Sequence, residues 1–524
     1  MARHGFALRR EDNQPRSQFI ESGKFGRLFP NLRPLTPSIE SLDELGKAMV
    51  DINGAEPGDP EGATNPDPTR DNATIPAGYT YLGQFIDHDI TFDPTTLKEV
   101  QVDPLSVQNF RTPALDLDSI YGSGPVGQPF LYQLDVGDPK ISDPDQFLIG
   151  STTKVANPQD TIESKPNDIP RAVSTLALTS DPRNDENLIV AQLHITFLKF
   201  HNKVVQGIKN GSIKQESPLQ QTPFDEARDL VIWHYQWIVL NDFLRRILDT
   251  EQLDLVVKQG RSFYRPRAEA FIPVEFSAAA YRLGHSMIRS VYDYNRIFST
   301  DRNSPGFITP ATLQLLFEFT AKSGDQNTPG GPGIGPKKSQ TLPSNWIIDW
   351  RRFFELEPAV KVNFSRKLDP FLADPLAAVP NIPEPRSLAA RNLRRGSSLG
   401  LPSGQSVARF LRFEPLKSSE IAQGPDGIVA KKLGFDIETP LWYYILKEAQ
   451  VQADGKHLGK VGSRIIAEVF VGLLQLDSSS FLAKRPNWRP TLPAKVPGTF
   501  TMADLLNFVG DLNPIGDQPT PSSV

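Results

Sequence analysis

Forty-seven prolines and 37 glycines are scattered through a chain of 524 residues, and that punctuation limits what the chain can build. Proline fixes φ and removes a backbone donor, so wide sheets and long unbroken helices are excluded wherever it recurs. Residues 53–78, 322–345 and 511–524 are almost wholly turn formers and read as long surface loops. Between the interruptions lie segments of helical period. In 188–210, Leu193, Phe197, Phe200 and Val204 fall on one stripe, and 225–249 begins with acids and ends with paired arginines, as the helix dipole favours. Segments 276–292, 441–453 and 459–475 also read as helices. Strand-like alternation is scarce. The expected fold is mainly α: one large helical domain with long irregular loops and very little β. Its body is expected over 75–511, after an N-terminal extension and surface loop (1–74) and before a flexible C-terminal tail (512–524).

The charge balance, 56 Lys+Arg against 61 Asp+Glu, argues against nucleic acid as a partner. Cysteine is absent, which excludes disulfides, thiolate-ligated haem, iron–sulfur clusters and Cys-containing zinc sites. The first thirty residues contain no apolar h-region, so no signal peptide is expected. A cytoplasmic location and export by a signal-less route both fit. No 18-residue apolar run predicts a transmembrane segment, and oligomeric state stays open. Only seven histidines are present, so any imidazole chemistry comes from His4, His88, His194, His201, His234, His285 or His457.

Four constellations carry chemical potential. In GQFIDHDIT (83–91), a helix would put Gln84 and His88 on one face, with Asp87 and Asp89 diverging to either side. Read alone, it is equally an acidic turn with an incidental histidine. In TPALDLDSIYGS (112–123), Thr112, Ala114, Asp116 and Asp118 alternate, so their oxygens can converge as Ca²⁺ requires. A solvated strand end would look the same. In SDPRNDENL (180–188), Arg183 and Glu186 open a helix, which a simple N-terminal charge cluster with Asp181 as cap also explains. The fourth pairs AAYRLGHSMI (279–288) with AARNLRRGSSLGLPSGQ (389–405). His285 there is by default a hydrogen-bonded core residue until a partner is found.

In this order the motifs resemble those of the animal-type haem peroxidase superfamily, of the myeloperoxidase and peroxidasin kind, in its bacterial-type branch. The matching residues are Gly83-Gln84-Asp87-His88-Asp89, Thr112-Asp116-Tyr121-Gly122-Ser123, Asp181-Arg183-Glu186, Arg282-Gly284-His285, and Asn392-Arg395 with Gly400-Leu401-Pro402. The resemblance covers roughly 75–415 and implies haem b as cofactor. It makes His88 the distal acid–base, Arg183 the cation facing the breaking O–O bond, and Gln84 the group that orders distal water or halide. His285 becomes the iron ligand and Asn392 its hydrogen-bond partner, while Arg282 and Arg395 pair with the haem propionates. Asp87 and Glu186 match the carboxylates that become ester-linked to haem, and Asn187 stands where one member has a sulfonium-forming Met. Asp89, Thr112, Ala114, Asp116 and Asp118 become a calcium site, with Asp118 in place of the usual Ser.

The implied function is a haem peroxidase that reduces hydrogen peroxide and oxidises small organic donors or halides, with a role in the response to oxidative stress. The alternative on the same fold is a fatty-acid oxygenase like the α-dioxygenases and cyclooxygenases. That chemistry places a radical-forming Tyr three residues before the proximal His. Arg282 holds that place, with Tyr281 one position out of register. A third reading is a haem or adhesion module without catalysis, against which all five key positions (Gln84, His88, Arg183, His285, Asn392) are intact. His194 and His201, seven apart and so about 10 Å along a helix axis, are expected to be structural, as is His234. His4 and His457 are expected at the surface.

Overall fold

Six of the nine principal helices begin where the sequence supplies a capping side chain. In a computed structural model, which describes residues 25–521 apart from 52–67, 93–108, 135–142, 157–158, 173–175, 215–221, 268, 318, 321–340 and 380–382, the principal helices are α1 (Ile39–Ala48), α2 (Gly78–Ile90), α3 (Leu188–Lys209), α4 (Pro223–Ile238), α5 (Thr250–Gln259), α6 (Leu388–Ser398), α7 (Leu441–Ala453), α8 (Lys460–Leu476) and α9 (Met502–Val509). The side chains of Ser38, Asn187, Thr222, Asp249, Ser387 and Thr501 cap α1, α3, α4, α5, α6 and α9, each satisfying a backbone donor that the helix cannot. On α3 only Lys199, Lys203, Gln206 and Lys209 face outward, while Leu193, Phe197, Phe200 and Val204 are buried.

Strands are few and short, as expected. The described residues form four two-stranded ladders. β1 (Val50–Asp51) runs parallel to β8 (Leu372–Ala373). β2 (Asp71–Pro76) pairs antiparallel with β7 (Phe364–Arg366), β3 (Tyr132–Gln133) with β4 (Asp143–Phe147), and β5 (Val291–Tyr292) with β6 (Ala311–Thr312). No described helix is long and apolar enough to cross a membrane.

Three sequence expectations need adjusting. Segment 276–292 is not one helix. It divides into a short turn of helix (Val274–Ser277), a 3-10 segment (Ala280–His285) and β5. Two of its carbonyls serve other partners instead: Ser277 O accepts from the Arg282 side chain (Nε, 2.9 Å), and Met287 O from the distant Arg366 N–H at 3.0 Å. Segment 225–249 is helical but passes through a π-turn at Val239–Phe243. There Asp242 accepts from Tyr79 Oη (2.7 Å), the Met502 N–H (2.9 Å) and Arg246 Nε (2.8 Å). The two chain ends are fastened rather than loose over their described residues. Phe25, Leu28 and Phe29 join the same apolar core as the long helices. The Leu28 and Phe29 N–H groups donate to buried Glu275 at 2.8 and 3.2 Å. At the other end the Trp350 N–H bonds Leu512 O and the Thr161 N–H bonds Thr520 O. Of the expected loops, residues 53–67 and 322–340 lie outside the described residues, and 71–76 form β2.

The start of α2 allows no side chain. A Cβ on Gly78 would fall 2.3 Å from the Phe354 ring and 2.7 Å from Phe353 O. Gly78→Ala is therefore expected to destabilise the fold by about 1–3 kcal/mol through overpacking, read as a lower urea midpoint at unchanged slope.

Candidate active site

Helix α2 presents two chemistries on two faces. Gln84, Asp87 and His88 line a cavity of about 440 Å³, whereas Asp89 points into the protein interior. His88 is 3% exposed, and its Nδ1 lies 2.9 Å from Asn184 Oδ1. Burial first, and then the charge of Arg183, lower its pKa below the usual histidine value. It is a neutral imidazole at neutral pH, with Nε2 the nitrogen left for the cavity.

The turn Pro182–Asp185 sets a cation beside it. Arg183 Nη2 donates to His88 O (2.9 Å) and to Asp181 Oδ2 (2.7 Å), and Nε donates to Asp181 Oδ1 (3.1 Å). Its Cζ also lies 4.6 Å from the Phe92 ring centroid. Asp181 is fully buried and receives Arg111 as well, through Nε at 2.9 Å and Nη2 at 2.6 Å. Burial alone would raise the Asp181 pKa. Hydrogen bonds and charge from Arg183, with the charge of Arg111, outweigh it and bring the group to about 2. Glu186 and Asn187 complete this wall. Asn187 caps α3 through Val190 N and donates from Nδ2 to Gln84 Oε1 at 3.1 Å, so it also orients the glutamine.

A second part of the lining comes from the 3-10 segment Ala280–His285 and from α6. His285 Nδ1 lies 2.7 Å from the Asn392 carboxamide nitrogen. Half a turn of that amide places its oxygen there instead, so that Nδ1–H donates and Nε2 is left unprotonated for a metal. Burial, then the charge of Arg282, push His285 down to about 3. Arg282, Arg391 and Arg395 line the same cavity. A Cβ on Gly284 would meet no protein atom within 4 Å, so the space beside His285 is open to a flat group. An imidazole ligand, that open space and three guanidiniums fit a macrocycle carrying iron and two carboxylates.

On the buried face of α2, Asp89, Asp116 and Asp118 each offer an oxygen within 4.8 Å of the others. Asp89 Oδ2 accepts from Tyr235 Oη at 3.1 Å, but the buried Oδ1 has no protein partner. Burial, with repulsion from neighbouring carboxylates, raises Asp89 and Asp116 well above the usual carboxylate value. Such an arrangement asks for a hard cation. Thr112 Oγ1 reaches Asp118 Oδ2 at 3.5 Å, and the Ala114 N–H bonds Thr112 O at 2.8 Å. All five expected calcium-site residues therefore come from one neighbourhood. Arg111 Nη1 pairs with Asp118 Oδ1 at 3.3 Å, so a single guanidinium spans this cluster and Asp181.

Sequence reasoning did not single out Arg111, Asn184 or Arg391: Arg111 lies just outside the quoted segments, and Asn184 and Arg391 lie within them but at positions the family motifs leave open. It set Tyr281 aside as out of register, yet Tyr281 lies on the cavity wall and its hydroxyl donates to Gly83 O at 3.3 Å. Three other histidines are held as structure. His201 bonds Tyr121 Oη and Asp145 O. His234 bonds Leu230 O and takes the Thr491 and Leu492 N–H groups. His457 donates to Leu458 O. His194 bonds Asn184, and His4 is outside the described residues.

The sequence profile of the animal haem peroxidase family matches residues 98–426, beginning after α2. A peroxidase-like protein of Margaritifera margaritifera is 29% identical over 230 residues, 42% of this chain and 26% of its own length. A chorion peroxidase of Drosophila melanogaster is 27% identical over 312 residues, 57% of this chain and 34% of its own. The chain thus spans about a quarter to a third of these curated relatives. In three dimensions it is similar to peroxidase A of Dictyostelium discoideum, with a TM-score of 0.58 at 15% identity over 97% of this chain and 99% of the other. It is also similar to a fatty acid alpha-dioxygenase of Oryza sativa, with a TM-score of 0.52 at 14% identity over 88% and 78%.

The folded Asp181 carboxyl titrates near 2, below its unfolded value of about 4. Its stabilising contribution is present above pH ~4 and lost as pH falls through about 2. Asp181→Asn is expected to flatten that acid limb in urea titrations. It should also cost about 2–3 kcal/mol at neutral pH, because two partly buried guanidiniums lose their counter-charge.

Proposed function

The chain belongs to the animal haem peroxidase family, and on that footing we propose that it binds haem b and reduces hydrogen peroxide to two waters, taking the electrons from small organic donors or halides. The observation that carries the reading is that one cavity gathers two pairs: His88 with Arg183, and His285 with Asn392. Haem, when bound, supplies the iron on which the O–O bond is cleaved.

His285 is the group that ligates the iron through Nε2, and Asn392 fixes its tautomer and raises its basicity. Arg282 and Arg395 pair with the propionates, with Arg391 beside them. In the same cavity, His88 takes the proton from one peroxide oxygen and returns it to the departing one. Arg183 offers positive charge to the oxygen on which negative charge grows, and its two bonds to Asp181 hold it there without reorganisation. Gln84, tied to Asn187, orders water or halide next to His88. Asp87 and Glu186 line the cavity as the carboxylates for ester links. Calcium belongs to Asp89, Thr112, Ala114, Asp116 and Asp118, and Asp89 links it through the backbone to His88.

The optical spectrum of the purified protein tests the assignment. A Soret band that H₂O₂ shifts is expected. His88→Ala should keep the band and slow the peroxide reaction by about 10²–10⁴-fold, the worth of a positioned acid–base, while His285→Ala should lose haem. A variant His88→Ala as fast as the parent would sink the mechanism. Acid–acetone extraction separates free from ester-linked haem, and haem retained by the protein supports linkage through Asp87 and Glu186. Oxygen uptake with linoleate, in the absence of peroxide, would favour the oxygenase, for which Tyr281 is the phenol at the wall.

Calcium has its own test. Chelation should lower the unfolding free energy by about 2–3 kcal/mol, the linkage expected for a site loaded near a hundred times its dissociation constant. Asp116→Asn should remove the response of Tm to added Ca²⁺.

A further inference from the structure

A carboxamide stands behind the His88 imidazole. Asn184 is fully buried and follows Arg183 in the turn Pro182–Asp185. Its Oδ1 lies 2.9 Å from His88 Nδ1, and its Nδ2 lies 3.1 Å from His194 Nδ1 and 3.5 Å from the Ser119 carbonyl oxygen. An amide nitrogen only donates and an amide oxygen only accepts, whereas each neutral imidazole can do either through Nδ1. The two histidines alone would therefore tolerate the amide in either orientation.

The Ser119 carbonyl removes that freedom. It can only accept, so the nitrogen end of Asn184 must face it. Turning the amide over would set two buried oxygens against each other. With Nδ2 held on that side, Oδ1 faces His88, and only a protonated Nδ1 satisfies it. Nε2 then carries the lone pair. His194 fits the arrangement, because burial lowers its pKa to about 4 and a neutral ring can accept the second Nδ2 hydrogen. The turn itself is braced. Arg171 donates through Nη1 and Nη2 to Asp185 at 2.9 and 3.0 Å and through Nε to Asp168 at 3.0 Å.

We infer that Asn184 is a positioning residue: oriented by the Ser119 carbonyl and seconded by His194, its carboxamide holds His88 in the Nδ1–H tautomer and keeps Nε2 free to accept a proton from peroxide. The consequence for catalysis rests on the peroxidase reading, while the tautomer does not. Packing alone would make Asn184 a filler of its pocket, with no hold on where the His88 proton sits.

Imidazole nitrogen NMR on ¹⁵N-histidine-labelled haem-loaded protein, in its diamagnetic ferrous carbonyl form, reads the tautomer directly. His88 is identified by the resonance lost in His88→Gln. The parent should show Nδ1 protonated and Nε2 bare. Asn184→Leu, close in size and without polar atoms, should give a mixed or reversed tautomer. It should also slow the reaction with H₂O₂ by about 10–100-fold, the usual loss when an orienting partner is removed, with the Soret position unchanged. Asn184→Asp, buried and protonated, still offers its C=O to Nδ1–H while its O–H donates to the Ser119 carbonyl, and should restore the tautomer and recover most of the rate. A parent protonated at Nε2 would overturn the inference, as would Asn184→Leu keeping the parental tautomer and rate. If Asn184→Leu does not fold, the parent and Asn184→Asp spectra decide alone. A normal tautomer in a protein whose His88→Ala variant is as fast as the parent would mean that the peroxidase mechanism, not the hydrogen-bond assignment, has failed.

Discussion

One buried carboxylate, shared between two arginines, organises the site. Asp181 has no exposure to solvent, and Arg111 and Arg183 both close on it. Removing two guanidiniums and a carboxylate from water is costly, and the cost is offset only when every donor finds its acceptor. The geometry meets most of that demand. Arg183 uses its remaining reach on His88 O, and Arg111 uses its own on Ser180 O and Asp118. The ion cluster therefore ties three things together: the helix with His88, the turn with Arg183 and Asn184, and the loop with Asp116 and Asp118. An isolated surface pair would be worth little. This one has a buried carboxylate, is multidentate and is shared by three segments.

The same device replaces covalent staples elsewhere. Without cysteine, distant segments are joined by buried carboxylates that accept several backbone N–H groups. Glu275 takes Leu28 and Phe29, Glu448 takes Val461 and Gly462, and Glu468 takes Ser262, Phe263 and Tyr264. Lys447 and Asp426 form a further interior pair at 3.0 Å, completed by the Tyr443 hydroxyl. Charge-assisted bonds of this kind are stronger than neutral ones and directional, so they specify register as well as adding stability.

The parts of the site that sequence disclosed are those where chemistry demands a residue type at a fixed spacing. Gln84 and His88 share a helix face because they are four apart. Arg282 and His285 share one turn. Helices α3, α4, α7 and α8 announced themselves by apolar period, and α3 and α4 also by the charges at their ends. The missing pieces depend on long-range contacts. Arg111 lies 70 residues from Asp181 and Asn184 lies 96 from His88, separations that leave no local pattern. Segment 276–292 misled for a related reason. Its helical period is real, but carbonyls claimed by Arg282 and Arg366 prevent the helix from continuing, and tertiary demand outranks propensity. Tyr281 was assessed by register alone, and a 3-10 turn does not keep α-helical register.

The cavity walls have one more implication, for the order of assembly. They come from α2, the turn 182–185, the segment 280–285 and α6, so that Asn392 and His285 meet across 107 residues and Phe25 joins the lining from the far end of the chain. No contiguous stretch of chain contains even half of the pocket. Loop closure has to bring these pieces together before any of them is rewarded by contact. The cavity is thus a late product of folding: a ligand that spans its lining binds little until the chain has nearly reached its native topology, and then acts as a latch on the finished fold.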